Sequence, residues 1–177
     1  RQRELEARSA ELAESLDYQT AISSVFAIIA KSSRDLQPVY DAIVTNAAKI
    51  CGASAANFLL FDGQLLTSGA TWNRDPAANA VHRAGYPMRP NRALISGRTV
   101  LDRRVIRVTD ILTDADYPGG RATAANVRSL LGIPLLRNDE PIGAIVVGKP
   151  EAEAYSESQV ALLETFADQA VIAIENA

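Results

Sequence analysis

Residues 129–148 read SLLGIPLLRNDEPIGAIVVG, and the fold class is predicted mainly from this stretch. Two apolar runs, residues 129–136 and 141–148, are joined by the polar tetrapeptide RNDE, a pattern that predicts a β-hairpin. Polar residues do not alternate with apolar ones in either run, so both faces of the hairpin should be covered. We therefore expect this hairpin at the centre of a sheet.

Further strands and loops are predicted on the N-terminal side of the hairpin. Residues 55–61 and 64–72 flank the turn signal Asp62-Gly63 and should form a second antiparallel pair, while residues 105–108 suit a short strand. Residues 73–92 contain three prolines and predict a long excursion with one helical turn around residues 77–83. Residues 93–102 predict a short helix, residues 110–120 a loop, and residues 122–126 another helical turn.

Two helices are predicted before the first strand. Residues 1–15 are rich in charge and helix formers, with Leu5 and Leu12 seven apart, which is a short coiled-coil signal. The alternative is a solvated helix that simply continues into the apolar helical pattern from Tyr18 onward. A second helix should be capped by Asp35 and stopped by Gly52, which is free to adopt positive φ.

The C-terminal helix carries the clearest local signals. Ser156 and Gln159 have the spacing of a capping box, and Tyr155 and Val160 that of a hydrophobic staple, so the helix should begin at Glu157. Its apolar surface is wide enough to pack on a sheet and also meet a partner. The order α-α-β-β-loop-α-β-loop-β-β-α predicts one mostly antiparallel sheet flanked by helices, an α+β fold.

Several of these segments resemble GAF domains. The resemblance is carried by DLQPVYDAI at 35–43, AKICGA at 48–53, the central hairpin, and FADQAVIAIEN at 166–176. The phrase LDYQTA at 16–21 resembles the linker that precedes GAF domains in sensor histidine kinases and nucleotide cyclases. The resemblance implies a GAF-like, PAS-related sheet with terminal helices on one face and loops or short helices over the other. It divides the chain into an N-terminal signalling helix, 1–16, and a GAF domain, 17–177.

Composition argues against several classes of partner. The 177 residues are 47% hydrophobic, with 18 basic and 21 acidic residues and a net charge of −3, so no basic block favours direct nucleic-acid binding. No apolar run is long enough for membrane insertion. The single cysteine, Cys51, suits a reducing cytoplasm. The chain starts and stops inside helical patterns, so we expect it to be cut from a longer polypeptide that holds the effector.

No cofactor is predicted: neither a bilin, a haem nor a metal ion. Bilin-binding GAF domains attach the chromophore through a cysteine, commonly beside a histidine, and residues 115–128 contain neither. His82 is the single histidine, with no zinc or haem spacing around it, and is expected on the surface. The sequence at 166–169, FADQ, departs from the cyclic-nucleotide pattern of the family. Free methionine sulfoxide reductases of this fold need several cysteines, and Cys51 stands alone.

A small-molecule pocket is expected between the sheet and the two loop regions, because an apolar wall with a few polar groups is typical of ligand sites. The alternative is a cavity filled by core side chains. The function predicted is a non-catalytic sensory or regulatory domain, a homodimer through its N- and C-terminal helices; the alternatives are a structural dimerisation module without ligand, or a small-molecule enzyme. The residues predicted to line the pocket are Phe58, Leu60, Trp72, Leu94, Asp110, Arg128, Ser129 and Leu131.

Overall fold

The order of helices and strands follows the predicted one. The computed structural model describes residues 1–31, 34–117 and 126–177. Within these residues the elements are α1 (Gln2–Lys31), α2 (Gln37–Cys51), β1 (Ala55–Phe61), β2 (Leu66–Asn73), α3 (Ala77–Ala84), α4 (Ile95–Asp102), β3 (Ile106–Val108), β4 (Ser129–Arg137), β5 (Glu140–Lys149) and α5 (Glu157–Glu175).

The strands form one antiparallel sheet in the order β2-β1-β5-β4-β3. The predicted central hairpin is β4–β5, with β5 in the middle of the sheet. Asn138 and Asp139 turn the chain between these strands with positive φ angles of 51° and 64°, a conformation that short polar residues tolerate. Together with the flanking helices, the sheet makes the α+β fold that the sequence predicted.

Helices α1, α2 and α5 cover one face of the sheet, which we call the helix face. Its core includes Phe58, Leu131 and Ile145 from the strands, packed with Ile43 of α2 and Phe166 of α5, and each of these side chains is at most 1% exposed. Burial of large apolar side chains of this kind contributes about 1.5–3 kcal/mol each. The helix face therefore supplies most of the core.

Helices α3 and α4 lie over the opposite face, which we call the cavity face. Here α4 packs closely on β4, because a Cβ atom added at Gly132 would lie 2.0 Å from the Thr99 hydroxyl oxygen. A second apolar cluster forms beneath α4 and includes Leu59, Leu130, Val146 and Ile95. The glycine is thus required by the close approach of helix and strand.

Gly52 and the capping box of Ser156 and Gln159 are found as predicted, whereas Asp35 is not the N-cap residue of α2. Gly52 ends α2 with φ 59°, and its N–H bonds the carbonyls of Ala48 and Lys49. The residue at the N-cap of α2 is Leu36, while the Asp35 carboxylate accepts the N–H of Gln37 at 3.0 Å. Helix α5 begins at Glu157 with the complete capping box of Ser156 and Gln159.

Some element boundaries differ from the prediction for local reasons. Strand β2 begins at Leu66 because the Asp62 carboxylate accepts the N–H groups of both Gln64 and Leu65 at 2.8 Å, which holds them in the turn. Helix α4 begins at Ile95, two residues later than expected. The helical turn predicted over 122–126 lies outside the described residues except for Asn126, whose φ is 51°.

Helix α1 runs without a break through the predicted domain boundary at 16/17. Residues 1–17 are all exposed, whereas Ala21 and Val25 are buried against the rest of the domain. The boundary itself stays a prediction. The exposed N-terminal half of α1 and the docked C-terminal half belong to one 30-residue helix.

Candidate functional site

A cavity of about 720 Å³ lies between the cavity face of the sheet and helices α3 and α4. Its size falls in the range of roughly 300–1,000 Å³ that is typical of small-molecule sites. The described residues that line it are Ala55, Asn57, Leu59, Thr71, Asn73, Asp75, Ala77, Ala78, Val81, His82, Ala84, Gly85, Tyr86, Leu94, Ile95, Ser96, Tyr117, Val127, Leu130, Val146 and Gly148.

The polar part of the cavity floor comes from β1 and β2. Asn57 and Thr71 are directly paired in the sheet, and the Thr71 hydroxyl donates to the Asn57 carboxamide oxygen at 2.6 Å. Asn73 lies two residues further along β2 and therefore on the same face. Its side-chain oxygen accepts the N–H of Asp75 at 3.0 Å, which fixes the orientation of the amide. Strand alternation thus places three hydrogen-bonding side chains on one surface.

Helix α3 forms the wall opposite the polar floor, and none of its residues is buried. The Asp75 carboxylate accepts the N–H of Ala77 at 3.1 Å and so helps to start the helix. Ala78 and Val81 face the cavity, and Val81 keeps 74% of its surface exposed. Val81 is thus a large apolar side chain that faces the cavity and stays mostly exposed.

Helix α4 closes the other end of the cavity with Leu94, Ile95 and Ser96. On the same helix Arg98 is 5% exposed and forms an ion pair with Asp114 at 3.3 Å. Its guanidinium lies 5.7 Å from the ring centre of Tyr117, which itself lines the cavity. Arg98 is not among the lining residues; it secures the loop that carries Asp114 and Tyr117.

Asp110 and Arg128 form a second clamp on this loop. Arg128 donates to both carboxylate oxygens of Asp110, at 3.0 and 2.6 Å. The hydrogen bonds from Arg128, followed by that from the N–H of Leu112, lower the pKa of the Asp110 carboxyl. Neither residue lines the cavity, so the pair that the sequence placed in the pocket instead ties the loop after β3 to the start of β4.

Of the eight residues predicted to line the pocket, Leu94 does so, and the other seven do not. Phe58 and Leu131 are fully buried on the helix face, where Leu60 and Trp72 pack against the same core. Ser129 precedes Leu131 by two residues and shares its face. The physical reason is alternation: a shift of one residue along a strand moves a side chain to the other face of the sheet.

The residues that line the cavity floor could have been predicted from the positions of polar residues in the strands. Asn57 stands inside the apolar strand AANFLLF, and Thr71 and Asn73 occupy alternate positions of β2. The isolated polar residue of β1 indicates the side of the sheet that faces the cavity. His82, expected on the surface, also lines the cavity, on α3.

Cys51 lies on α2, on the helix face and away from the cavity, and is 3% exposed. Burial raises the pKa of its thiol to about 12, against a smaller opposing effect of Lys149. A thiol with such a pKa is almost wholly protonated at neutral pH, and the thiolate is the reactive form. No group of three or more His, Cys, Asp or Glu side chains that could hold a metal ion occurs among the described residues.

The described residues thus form an α+β domain whose antiparallel sheet has a helix layer on one face and a cavity on the other. A family model described as GAF domain matches residues 33–175. The chain therefore belongs to the GAF domain family, as the sequence motifs indicated.

Solved structures share this fold at low sequence identity. The GAF domain of a phosphoenolpyruvate-protein phosphotransferase from Coxiella burnetii superposes with a TM-score of 0.77 at 17% identity, covering 92% of this chain and 95% of that one. A fragment of a methyl-accepting chemotaxis protein, residues 122–287, has a TM-score of 0.69 at 21% identity, covering 85% and 94%.

An enzyme is also among these structural relatives. The free methionine-R-sulfoxide reductase from Neisseria meningitidis, solved in complex with its substrate, has a TM-score of 0.71 at 15% identity, covering 90% of this chain and 89% of that one. No curated protein sequence matches the chain. Among the described helices, none is both long and apolar enough to cross a membrane.

Proposed function

We propose that this domain is a non-catalytic sensor of a cytoplasmic signal-transduction protein, which binds a small molecule in the cavity and forms a homodimer through α1 and α5. The observation that carries the proposal is the cavity beneath α3, where Val81 faces the cavity and keeps 74% of its surface exposed. A ligand would cover this side chain. The GAF domains of signalling proteins with this fold support the same role.

The exposed side of α1 supports dimerisation. Leu5, Leu12 and Leu16 are 67%, 67% and 58% exposed, and Phe26, fourteen residues after Leu12, is 42% exposed. Leu5, Leu12 and Phe26 fall in one heptad position, with Leu16 on the adjoining seam. Large apolar side chains that repeat along a helix and remain largely exposed are typical of a coiled-coil interface. Ile172 of α5, 46% exposed, extends the apolar surface.

In this proposal, the effect of a ligand reaches α5 through contacts between the strands and the start of α5. Arg107 of β3 pairs with both carboxylate oxygens of Glu157 in the first turn of α5, at 2.6 and 3.2 Å. Lys149 ends β5, directly after the cavity residue Gly148, and its ammonium lies 4.3 Å from the ring centre of Tyr155. Ligand binding that favours one arrangement of these contacts would shift the packing of α5.

The buried thiol supports a domain without catalysis. A sulfoxide reductase needs an accessible thiolate and a second thiol to resolve the sulfenic acid. Cys51 is the single cysteine, is buried, and lies on the face opposite the cavity. We infer that the effector, which we propose to be a histidine kinase, is supplied by another part of the full-length protein.

A thermal-shift screen of metabolites tests the ligand-binding part of the proposal. Binding to the folded state raises the midpoint of unfolding. The screen should be run in parallel on Ala78→Trp, which fills the cavity from α3, and on Ala80→Trp, which adds the same side chain to α3 outside the lining. We expect compounds that stabilise the native chain and Ala80→Trp but not Ala78→Trp. A screen without a stabilising compound would favour the structural dimerisation module.

Sedimentation equilibrium tests the dimer. We expect the native chain to have twice the monomer mass, and Leu12→Asp with Leu16→Asp to give a monomer, since two charges would have to be buried in the seam. Ala10→Asp lies off the seam and should remain dimeric. A native chain that is monomeric at high concentration would refute the helix-mediated dimer.

A further inference from the structure

The two halves of the cavity differ in polarity, and the division follows the strand order of the sheet. On the β2–β1 side, the lining side chains include Asn57, Thr71 and Asn73. On the β5–β4 side they are Val146 and Leu130, which are 5% exposed and belong to the apolar cluster beneath α4. A ligand that fills the cavity must therefore meet a hydrogen-bonding surface at one end and an apolar surface at the other.

The polar half offers hydrogen-bond donors to a ligand. The oxygen of Asn73 is occupied by the N–H of Asp75, so its NH₂ group is directed away from that bond. In the described part of the chain, neither Asn57 nor Asn73 donates a hydrogen bond from its side-chain nitrogen, and both side chains are half-buried. Half-buried carboxamides with unused donors are suited to an oxygen or nitrogen acceptor.

Formal charge in the cavity disfavours an anion. Among the lining residues that the structure describes there is no lysine or arginine, and Asp75 contributes a carboxylate. Arg98, on the neighbouring helix, is held by Asp114 at 3.3 Å and does not line the cavity. An anionic group moved from water into the polar half would lose hydration, and among the described lining residues only the imidazole of His82 could offer it a positive charge.

The apolar half is built to cover a hydrocarbon or aromatic body. One apolar cluster contains Leu59, Val146, Leu130 and Ile95, and Leu94 lines the cavity beside Ile95. These side chains present no hydrogen-bonding group. Removal of apolar ligand surface from water is the favourable contribution of these side chains. The hydroxyl of Ser96, which also lines the cavity on α4, lies 3.3 Å from the Tyr86 hydroxyl.

We propose that the cavity takes an amphipathic ligand with an uncharged or cationic hydrogen-bonding end over β1 and β2 and an apolar body between β4, β5 and α4. This inference rests on the proposed function, since it requires the cavity to be the binding site. It adds the chemical class of the ligand and its orientation.

Three probes with one apolar body test the charge of the polar end: 2-naphthamide, 2-naphthylmethylammonium and 2-naphthoate. Dissociation constants are measured by NMR titration of the full 177-residue chain at pH 7.5. We expect the amide and the ammonium compound to bind at least tenfold more tightly than the carboxylate. Tighter binding of 2-naphthoate would overturn the inference and leave the proposed function intact.

The orientation is tested on the 2-naphthamide complex. We expect nuclear Overhauser effects between the naphthyl protons and the methyl groups of Leu130 and Val146. Asn57→Leu should weaken binding about tenfold, whereas Asn46→Leu, on α2 at the helix face, should leave it unchanged. A naphthyl ring seated against Asn57 and Thr71 would overturn the orientation.

Failure of all three probes to bind would also overturn the inference. The proposed function is judged separately by the metabolite screen, which assumes nothing about ligand charge. If the screen finds compounds that stabilise the native chain but not Ala78→Trp, while none of the three naphthyl probes binds, only the proposed ligand class is rejected. If the screen finds no stabilising compound and no probe binds, the proposal that the cavity is a binding site is rejected.

Discussion

At the scale of single residues, a few positions fix how α4 and the loop after β3 pack on the sheet. Gly132 allows α4 to approach β4, where any Cβ would meet Thr99. Asp110 and Arg128 hold the loop after β3 through two hydrogen bonds. These positions determine how closely α4 and the loop approach the cavity, although neither Gly132 nor the ion pair lines it.

Gly132→Ala should destabilise the domain by about 1–3 kcal/mol, the usual cost of forcing an extra carbon into a packed interface. The measurement is the free energy of unfolding by urea. The double variant Gly132→Ala with Thr99→Ala removes the hydroxyl that the new methyl group meets and should recover part of the loss. An unchanged stability in Gly132→Ala would contradict the close approach of α4.

The Asp110 carboxyl should titrate below the ordinary aspartate pKa of about 3.9, because Arg128 stabilises its charged form. Its folded pKa is lowered, so its contribution to stability is present above the unfolded pKa and is lost as pH falls through the folded pKa. Carbon-13 NMR of the carboxyl group should show the midpoint rising in Arg128→Gln. The same midpoint in both proteins would show that the ion pair is absent in solution.

At the scale of elements, helices α5 and α3 differ in how firmly they are capped and buried. Helix α5 is fixed by a complete capping box, and eight of its residues are buried. Helix α3 has no buried residue and no side-chain hydrogen bond at its N-cap, Pro76. Helix α5 is part of the core, whereas α3 has no buried residue to hold it in place. Under the proposed function, α3 is the element that responds to a ligand and α5 is the element that stays packed on the sheet.

Ser156→Ala should lower the free energy of unfolding by about 1 kcal/mol, because the N–H of Gln159 loses its acceptor at the start of α5. Thr165→Ala is the matched control: its exposed hydroxyl bonds only the carbonyl of Ala161 within the same helix, and a change within about 0.5 kcal/mol is expected. Urea unfolding measures both. Equal losses in the two variants would show that the cap has no special role.

At the scale of the whole molecule, sequence patterns predicted the order of elements, the central hairpin and the caps, but assigned most pocket residues to the wrong face. Both faces of the central strands are apolar, so Leu130 and Leu131 look alike in the sequence although they belong to different cores. A bulge between Phe58 and Leu59 also interrupts the pairing of β1 with β2. Only tertiary packing decides which alternate residues face α3 and α4.

The proposed function requires that a small molecule binds beneath α3 and that its effect reaches the terminal helices. Hydrogen exchange, followed by mass spectrometry on the dimer with and without a stabilising compound from the screen, tests both parts together. We expect slower exchange of the amides in α3, over Ala77–Ala84, together with altered exchange in α5. Protection confined to the helix face, with α3 unchanged, would contradict the claim.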